Sequence, residues 1–291
     1  MASVNLSIIG ASGVELPLAS SPWDAGVHRV MDGTAGLGLP AQQASFTEAA
    51  GDGRRLTAVR TSGRTLSLDI GIFGDSRDAV EAAIDALGDA IAYVDGKPLP
   101  RLRATYADGR AVESEFVSLD PTDGLSPMGE LVARHKLKLE CPDAYWTAVN
   151  FSEFIVAQAG DNTGFLESLP NVYLQPSDAS GTVTLTNPGK VPSWVNWELV
   201  GPFSRVDVVY GTDGFSYTQA LTAGQRVLIN KTPAGIEVVD AAGASKYPAI
   251  ADVPRFFQLP PGKSTVTVTM AGTTAASRVI GRYKPRYRQV F

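Results

Sequence analysis

The chain has 291 residues, of which 44% are hydrophobic and 19% charged, with a net charge of −5 and a pI near 5.1. That apolar content suffices for two well-packed cores and the charge is too low for a disordered chain. The acidic balance argues against a nucleic-acid binder that works by neutralising phosphates, the lone Cys141 excludes a disulfide framework or a cysteine zinc cluster, and no apolar run approaches the roughly 20 residues of a transmembrane helix.

The N-terminus lacks a basic-then-apolar leader, so synthesis in a cytoplasm is expected. Gly10-Ala11-Ser12-Gly13 has small residues around a serine but not the Gly-x-Ser-x-Gly elbow that presents a nucleophile between strand and helix. His28 reads as an exposed loop residue. Gly33-Thr34-Ala35-Gly36-Leu37-Gly38 is glycine-rich, yet it neither follows a clear strand nor opens a helix, as an anion-cradling loop must.

Residues 64–73 alternate, which places Leu66, Leu68, Ile70 and Ile72 on one face of a strand. Gly74-Asp75-Ser76 breaks that strand, and Asp75 or Ser76 offers an oxygen to cap a helix. From residue 77 to about 92 the period becomes 3.6. Val80, Ala83, Ile84, Leu87 and Ile91 form the apolar stripe, and Arg77, Asp78, Glu81, Asp85 and Asp89 the opposite face. Asp108-Gly109 between two apolar-polar runs predicts a hairpin. Asp120 and Asp123 have the acid pair of a glycosidase, but their Pro-Thr-Asp-Gly setting reads as a turn. Over residues 131–141 Leu131, Ala133, His135, Leu137, Leu139 and Cys141 share one face. Arg134, Lys136, Lys138 and Glu140 share the other, so His135 reads as a core histidine. One helix on a curled, mostly antiparallel sheet predicts an α+β split barrel for residues 1–148.

The texture changes after Cys141-Pro142-Asp143-Ala144-Tyr145-Trp146. Residues 151–181, with Gly160-Asp161-Asn162, Pro170-Asn171 and Pro176-Ser177-Asp178, read as strands tied by loops. Short strands then recur at 182–186, 195–200, 205–210, 215–218, 226–230, 237–240 and 265–270, separated by glycine and proline turns. That spacing predicts a β-sandwich for residues 149–291. Trp197 shares parity with Val195 and Leu199 and belongs to the core, whereas Trp194 lies with Asn196 and Glu198. An exposed tryptophan beside polar groups is a means of stacking a sugar ring, and a tryptophan covered by a loop or subunit gives the same pattern. Residues 278–288 carry five basic residues and two tyrosines. Such a string suits single-stranded nucleic acid, or a terminal strand docked on its own sheet or a partner. Two histidines and one cysteine leave no histidine-rich metal site, and no base–nucleophile pair is legible, so neither enzyme activity nor a cofactor is expected.

Taken in order, these pieces resemble the distal tail (Dit) and minor tail proteins of siphophages, especially of phages that infect actinobacteria. Gly63-Arg64-Thr65-Leu66-Ser67-Leu68-Asp69-Ile70 through Ile91 is similar to the N-terminal domain of that family, and Cys141-Pro142-Asp143-Ala144-Tyr145-Trp146 to the point where it ends. Ala144 stands where the pattern usually has proline. Asn187-Pro188-Gly189-Lys190-Val191-Pro192-Ser193-Trp194, Val200-Gly201-Pro202 and Phe257-x-Leu259-Pro260-Pro261-Gly262 resemble its galectin-like sandwich. The resemblance implies a virion protein whose N-terminal domain forms a ring, usually a hexamer, at the end of the tail tube. Its partners would be other copies of itself, the tube protein, tip or hub proteins and the tape measure protein. Genome DNA would pass through the ring without specific binding, and no membrane insertion is implied. On the residues, Asp85 and Asp89 of one copy against Arg134, Lys136 and Lys138 of the next are the candidate ring contacts. A carbohydrate-binding adhesin module of the tail tip, using Trp194, is the alternative reading.

Overall fold

The computed structural model describes residues 4–19, 25–48, 51–119, 125–127, 131–157, 179–232, 234–251 and 253–290. Asp120, Asp123 and the turn signals between 160 and 178 lie outside them. The fold is mainly β, with several antiparallel sheets and one α-helix among the described residues. It divides into two compact units, residues 1–149 with 286–291, and residues 150–285. The second domain was expected to run to the chain end, but the last six residues return to the first unit.

Unit one opens with β1 (Val4–Ile9), β2 (Glu15–Leu18), β3 (His28–Val30), β4 (Gln42–Glu48), β5 (Arg54–Thr61) and β6 (Arg64–Phe73). Helix α1 (Arg77–Ile91) follows, then β7 (Arg101–Tyr106), β8 (Ala111–Glu115), β9 (Val117–Ser118), β10 (Leu125–Pro127), β11 (Val132–Cys141) and β12 (Trp146–Ala148). Unit two contains β13 (Ser152–Ala157), β14 (Ala179–Asn187), β15 (Ser193–Val200), β16 (Arg205–Tyr210) and β17 (Asp213–Tyr217). It continues with β18 (Arg226–Thr232), β19 (Gly235–Asp240), β20 (Gln258–Leu259), β21 (Gly262–Ala271) and β22 (Arg278–Tyr283), and β23 (Arg286–Tyr287) goes back to unit one.

In unit one, a six-stranded sheet runs β2-β1-β7-β8-β12-β23 and a second runs β10-β11-β6-β3, with β9 also on β11. β6 and β11 pair over ten residues, from Val132 opposite Phe73 to Cys141 opposite Arg64. This register sets Leu66, Leu68, Ile70 and Ile72 beside Leu139, Leu137, His135 and Ala133, all buried. They share one core with Leu6, Ile8, Leu102, Ala104 and Val112 of the other sheet, and neither sheet closes on itself among the described residues. Leu131, expected on the apolar face, precedes the ladder and is 49% exposed. The Asp-Gly hairpin forms as predicted, with Gly109 at φ +80° and the Asp108 side chain accepting from the Arg110 amide.

Helix α1 starts where the chain breaks at Gly74. Ser76 is the cap, and its hydroxyl accepts from the Ala79 amide at 3.2 Å, satisfying one of the free donors of the first turn. Val80, Ala83, Leu87, Ala90 and Ile91 are buried in the same core. His28 is not the exposed loop residue its neighbours suggest. It lies buried on β3, and its Nε2 donates to the Ala83 carbonyl at 2.9 Å, tying the edge strand to the helix.

Unit two holds the antiparallel sheets β13-β22-β15-β18-β19, with β20 on β15, and β14-β21-β16-β17, whose buried residues share one core. The threonine-alternating strand 262–271 lies between β14 and β16, with Val266, Val268 and Met270 fully buried. Trp197 is its aromatic centre, meeting Phe154, Phe215 and Phe257 edge-on at 5.5–6.0 Å.

Candidate assembly surfaces

The exposed side of α1 carries Asp78, Glu81, Asp85 and Asp89. Arg77 is occupied by Glu81 one turn on, at 2.9 Å, so the last two acids, Asp85 and Asp89, form an acidic face. On the outer face of the second sheet, Lys136 and Lys138 are exposed. Arg134, their neighbour by parity, is held within the chain: its Nε and Nη2 grip the two oxygens of Asp69 at 2.6 and 2.5 Å. Such a two-point bond fixes a planar guanidinium, so Arg134 orders its own sheet.

Arg64 explains the glycine-rich segment. Its guanidinium donates to the carbonyls of Gly36 and Gly38 at 2.6 Å, of Ala144 at 2.9 Å and of Arg288 at 2.6 Å. Burial pushes its pKa down, against the opposing pull of Cys141 and Asp143. At Gly36, where φ is +90°, a Cβ would overlap the Thr65 carbonyl. The segment thus aims carbonyls at a cation, the reverse of an anion-binding loop.

Around Trp194 the polar groups are already engaged. Asn196 accepts from the Lys231 amide at 3.1 Å, and Glu198 receives Arg282 at 2.9 Å. Trp194 itself is half-buried, its strand paired with Gln258. Three of the five basic residues of the C-terminal string are likewise engaged. Arg282 also binds Glu153, Lys284 sits 4.7 Å over the Phe151 ring, and Arg286 contacts both oxygens of Asp143 at 2.8 Å. Among the described residues, no group of three or more His, Cys, Asp or Glu could hold a metal ion. No described helix is long and apolar enough to cross a membrane.

Sequence reasoning passed over one element. β4 and β5 pair only with each other, and nearly every residue of both is exposed. The pairing sets Ala44 opposite Val59 and Phe46 opposite Leu56, with an irregularity between Ser45 and Phe46 that leaves Thr57 without an opposite number. Because of that extra residue, Leu56 and Val59 fall on the same face although three apart. The result is an arm with Ala44, Phe46, Leu56 and Val59 on one side, together with the Glu48–Arg54 ion pair, and Gln43, Thr47, Arg55, Ala58 and Arg60 on the other. The signal available was the Gly51-Asp52-Gly53 turn between two threonine-bearing runs.

No family model and no curated protein matches the chain. Solved structures do match its fold. The crystal structure of the SPP1 Dit protein, described as a paradigm of the hub adsorption apparatus in phages infecting Gram-positive hosts, superposes with a TM-score of 0.60 at 14% identity. That match covers 98% of this chain and 99% of the other. The fold is Dit-like. A chain of the phage P2 baseplate in its activated conformation with calcium matches at a TM-score of 0.51 and 11% identity, over 99% of both chains. The same baseplate with strontium gives the same values. The Dit-like fold therefore spans both units rather than one.

Proposed function

We propose that this chain is a structural protein of a phage tail tip, in which copies of unit one join into a ring, of six, at the distal end of the tail tube. The observation that carries this reading is the superposition on the SPP1 Dit hub protein over essentially the full length of both chains. In this reading unit one is the split-barrel ring domain and unit two a galectin-like sandwich directed outward, toward host-recognition parts. The ring links the tube protein to tip, hub and tape measure proteins and encloses the channel by which DNA leaves, without binding it specifically. A net charge of −5 suits such a passage, since like charges keep DNA from sticking. The protein is made in the host cytoplasm and resides in the virion, with no catalytic role.

The acidic face of α1 and the exposed Lys136 and Lys138 are two unlike surfaces of one unit. Surfaces of that kind can meet head-to-tail and repeat until a ring closes. Asp85 and Asp89 of one copy would face Lys136 and Lys138 of the next, with Arg134 holding the lysine-bearing sheet through Asp69. Mass photometry and negative-stain images of the purified full chain, alone and on tail tubes, test this. Closed rings weakened by joint Asp85→Lys and Asp89→Lys support it, and monomers under every condition refute it.

A further inference from the structure

Unit one is discontinuous in sequence. Its first stretch ends at Val149, and its second, residues 286–291, follows only after the whole of unit two, Asn150–Pro285. The later stretch fastens three separate parts of the earlier one. β23 lies on β12 and sets Tyr287 opposite Trp146, both buried in the unit-one core. The Arg288 carbonyl accepts from Arg64 on β6 at 2.6 Å, a hydrogen bond that spans 224 residues. The Val290 amide donates to the Leu37 carbonyl at 3.2 Å, and the Val290 side chain is fully buried.

During synthesis these contacts come late. Domains generally fold N-terminal first as they emerge, and translation of Asn150–Pro285 takes on the order of 10 s at roughly 5–20 residues per second. Throughout that interval β12 is a three-residue strand without its outer neighbour, and Arg64 has the carbonyls of Gly36, Gly38 and Ala144 but not that of Arg288. An apolar core open at one strand and a buried donor short of an acceptor both oppose folding. Unit two has no such gap, since its sheets take every strand from Asn150–Pro285 among the described residues.

We propose that residues 286–290 are a completion latch, which makes the fold of unit one conditional on unit two having been made. The default order is overruled: the first stretch waits, unfinished, until the strap reaches Leu37, Arg64 and β12. A chain that stops short of residue 290 therefore presents no finished unit one. Where copies join through unit one, as proposed above, they join only as completed chains, and truncated products are kept out. The latch itself does not rest on that reading.

Cys141 supplies the test. It is the chain's lone cysteine and is fully buried in the unit-one core, so its thiol reports when that core closes. The full sequence is synthesised in a cell-free system and stalled on the ribosome with the last emerged residue set between 150 and 291, and each complex receives a brief pulse of a maleimide. Cys141 should react freely in every complex up to residue 285, and about 10-fold or more slowly once residue 290 is out. Val290→Asp, which places a charge in the buried site, should leave Cys141 reactive in the longest complex. Arg288→Ala, which keeps the carbonyl that Arg64 uses, should be protected like the unaltered chain. Protection of Cys141 before residue 285 has emerged, or equal protection in Val290→Asp and the unaltered chain, would overturn the inference. The thiol readout is blind to rings, so a chain that latches and never associates supports the latch and tells only against the ring.

Discussion

Removing residues 286–291 should destabilise unit one far out of proportion to six residues. Tyr287 and Val290 are 6% and 0% exposed within its core, and each such side chain contributes about 1.5–3 kcal/mol by burial. The truncation also takes the Arg288 carbonyl from Arg64, and a buried donor left short of an acceptor costs about 1–3 kcal/mol. The half-exposed Arg286–Asp143 pair adds at most about 1 kcal/mol. Together these give roughly 4–10 kcal/mol, against a whole-domain stability of roughly 5–15 kcal/mol. Urea unfolding followed by peptide-resolved hydrogen exchange reads the two units separately. Peptides from β6, α1 and β11 should lose protection, and those from β15 and β21 should keep it. Val290→Ala, which removes two buried carbons, should cost about 2 kcal/mol in the same peptides. A truncated chain whose unit one unfolds at the original urea concentration would refute the reasoning.

The same topology sets the fragment to use for ring assembly. β12 and β23 are antiparallel neighbours with Thr147 opposite Arg286, so the points where chain leaves and re-enters unit one lie side by side. Residues 1–149 joined to 286–291 by a short glycine-serine linker should fold and carry the self-association, whereas residues 1–148 alone should be markedly less stable. Should residues 150–285 assemble while that linked fragment stays monomeric on tail tubes, the ring role belongs to the other unit.

Leu87, fully buried under α1, should cost about 2–5 kcal/mol as Leu87→Ala, read by thermal unfolding, and Leu87→Asp should unfold the unit. In unit two, burial pushes the Asp207 carboxyl up, but hydrogen bonds from Arg205 and Ser216 and the Arg205 charge outweigh it and hold it below the usual range. A carboxyl lowered by folding adds stability that is full above its unfolded pKa of about 3.9 and is lost as pH falls through the folded value. Asp207→Asn should therefore narrow the gap in unit two's stability between neutral and acid pH, and an unchanged gap would count against it. Burial likewise pushes the Cys141 thiol up, so an aromatic disulfide reagent at neutral pH should label it only as fast as unit one opens.

Where one face is buried and the other wet, the sequence made the element readable. β6, β11 and α1 each carry an unbroken apolar period, and the structure starts and ends them within a residue or two of the periodic runs. The Asp108-Gly109 hairpin was legible because only a turn with positive φ needs that pair. His28 was misjudged because its burial comes from a contact with Ala83, 55 residues away, which leaves no local trace. β23 docks on a sheet, as one reading of the basic string had it, but its return to unit one was hidden for the same reason. Its basic residues look free until Asp143 and the core around Trp146 are brought to them. Of the candidate site residues, Asp85, Asp89, Lys136 and Lys138 are exposed as their parity implied, while Arg134 has the right parity and a partner in its own sheet.

The arm was hidden for a different reason. Its apolar residues on β5, Leu56 and Val59, are three apart, which is neither a strand's period nor, in so short a run, a helix's. Only the extra residue at Thr57 brings them into line with Ala44 and Phe46, and that residue is defined by the pairing, not by its identity. The strands are also too polar to form part of the core, with Arg54, Arg55 and Arg60 on β5 and Gln42, Gln43 and Glu48 on β4. A segment of this composition is stabilised as a hairpin by what lies against it, and its own unit supplies only its base.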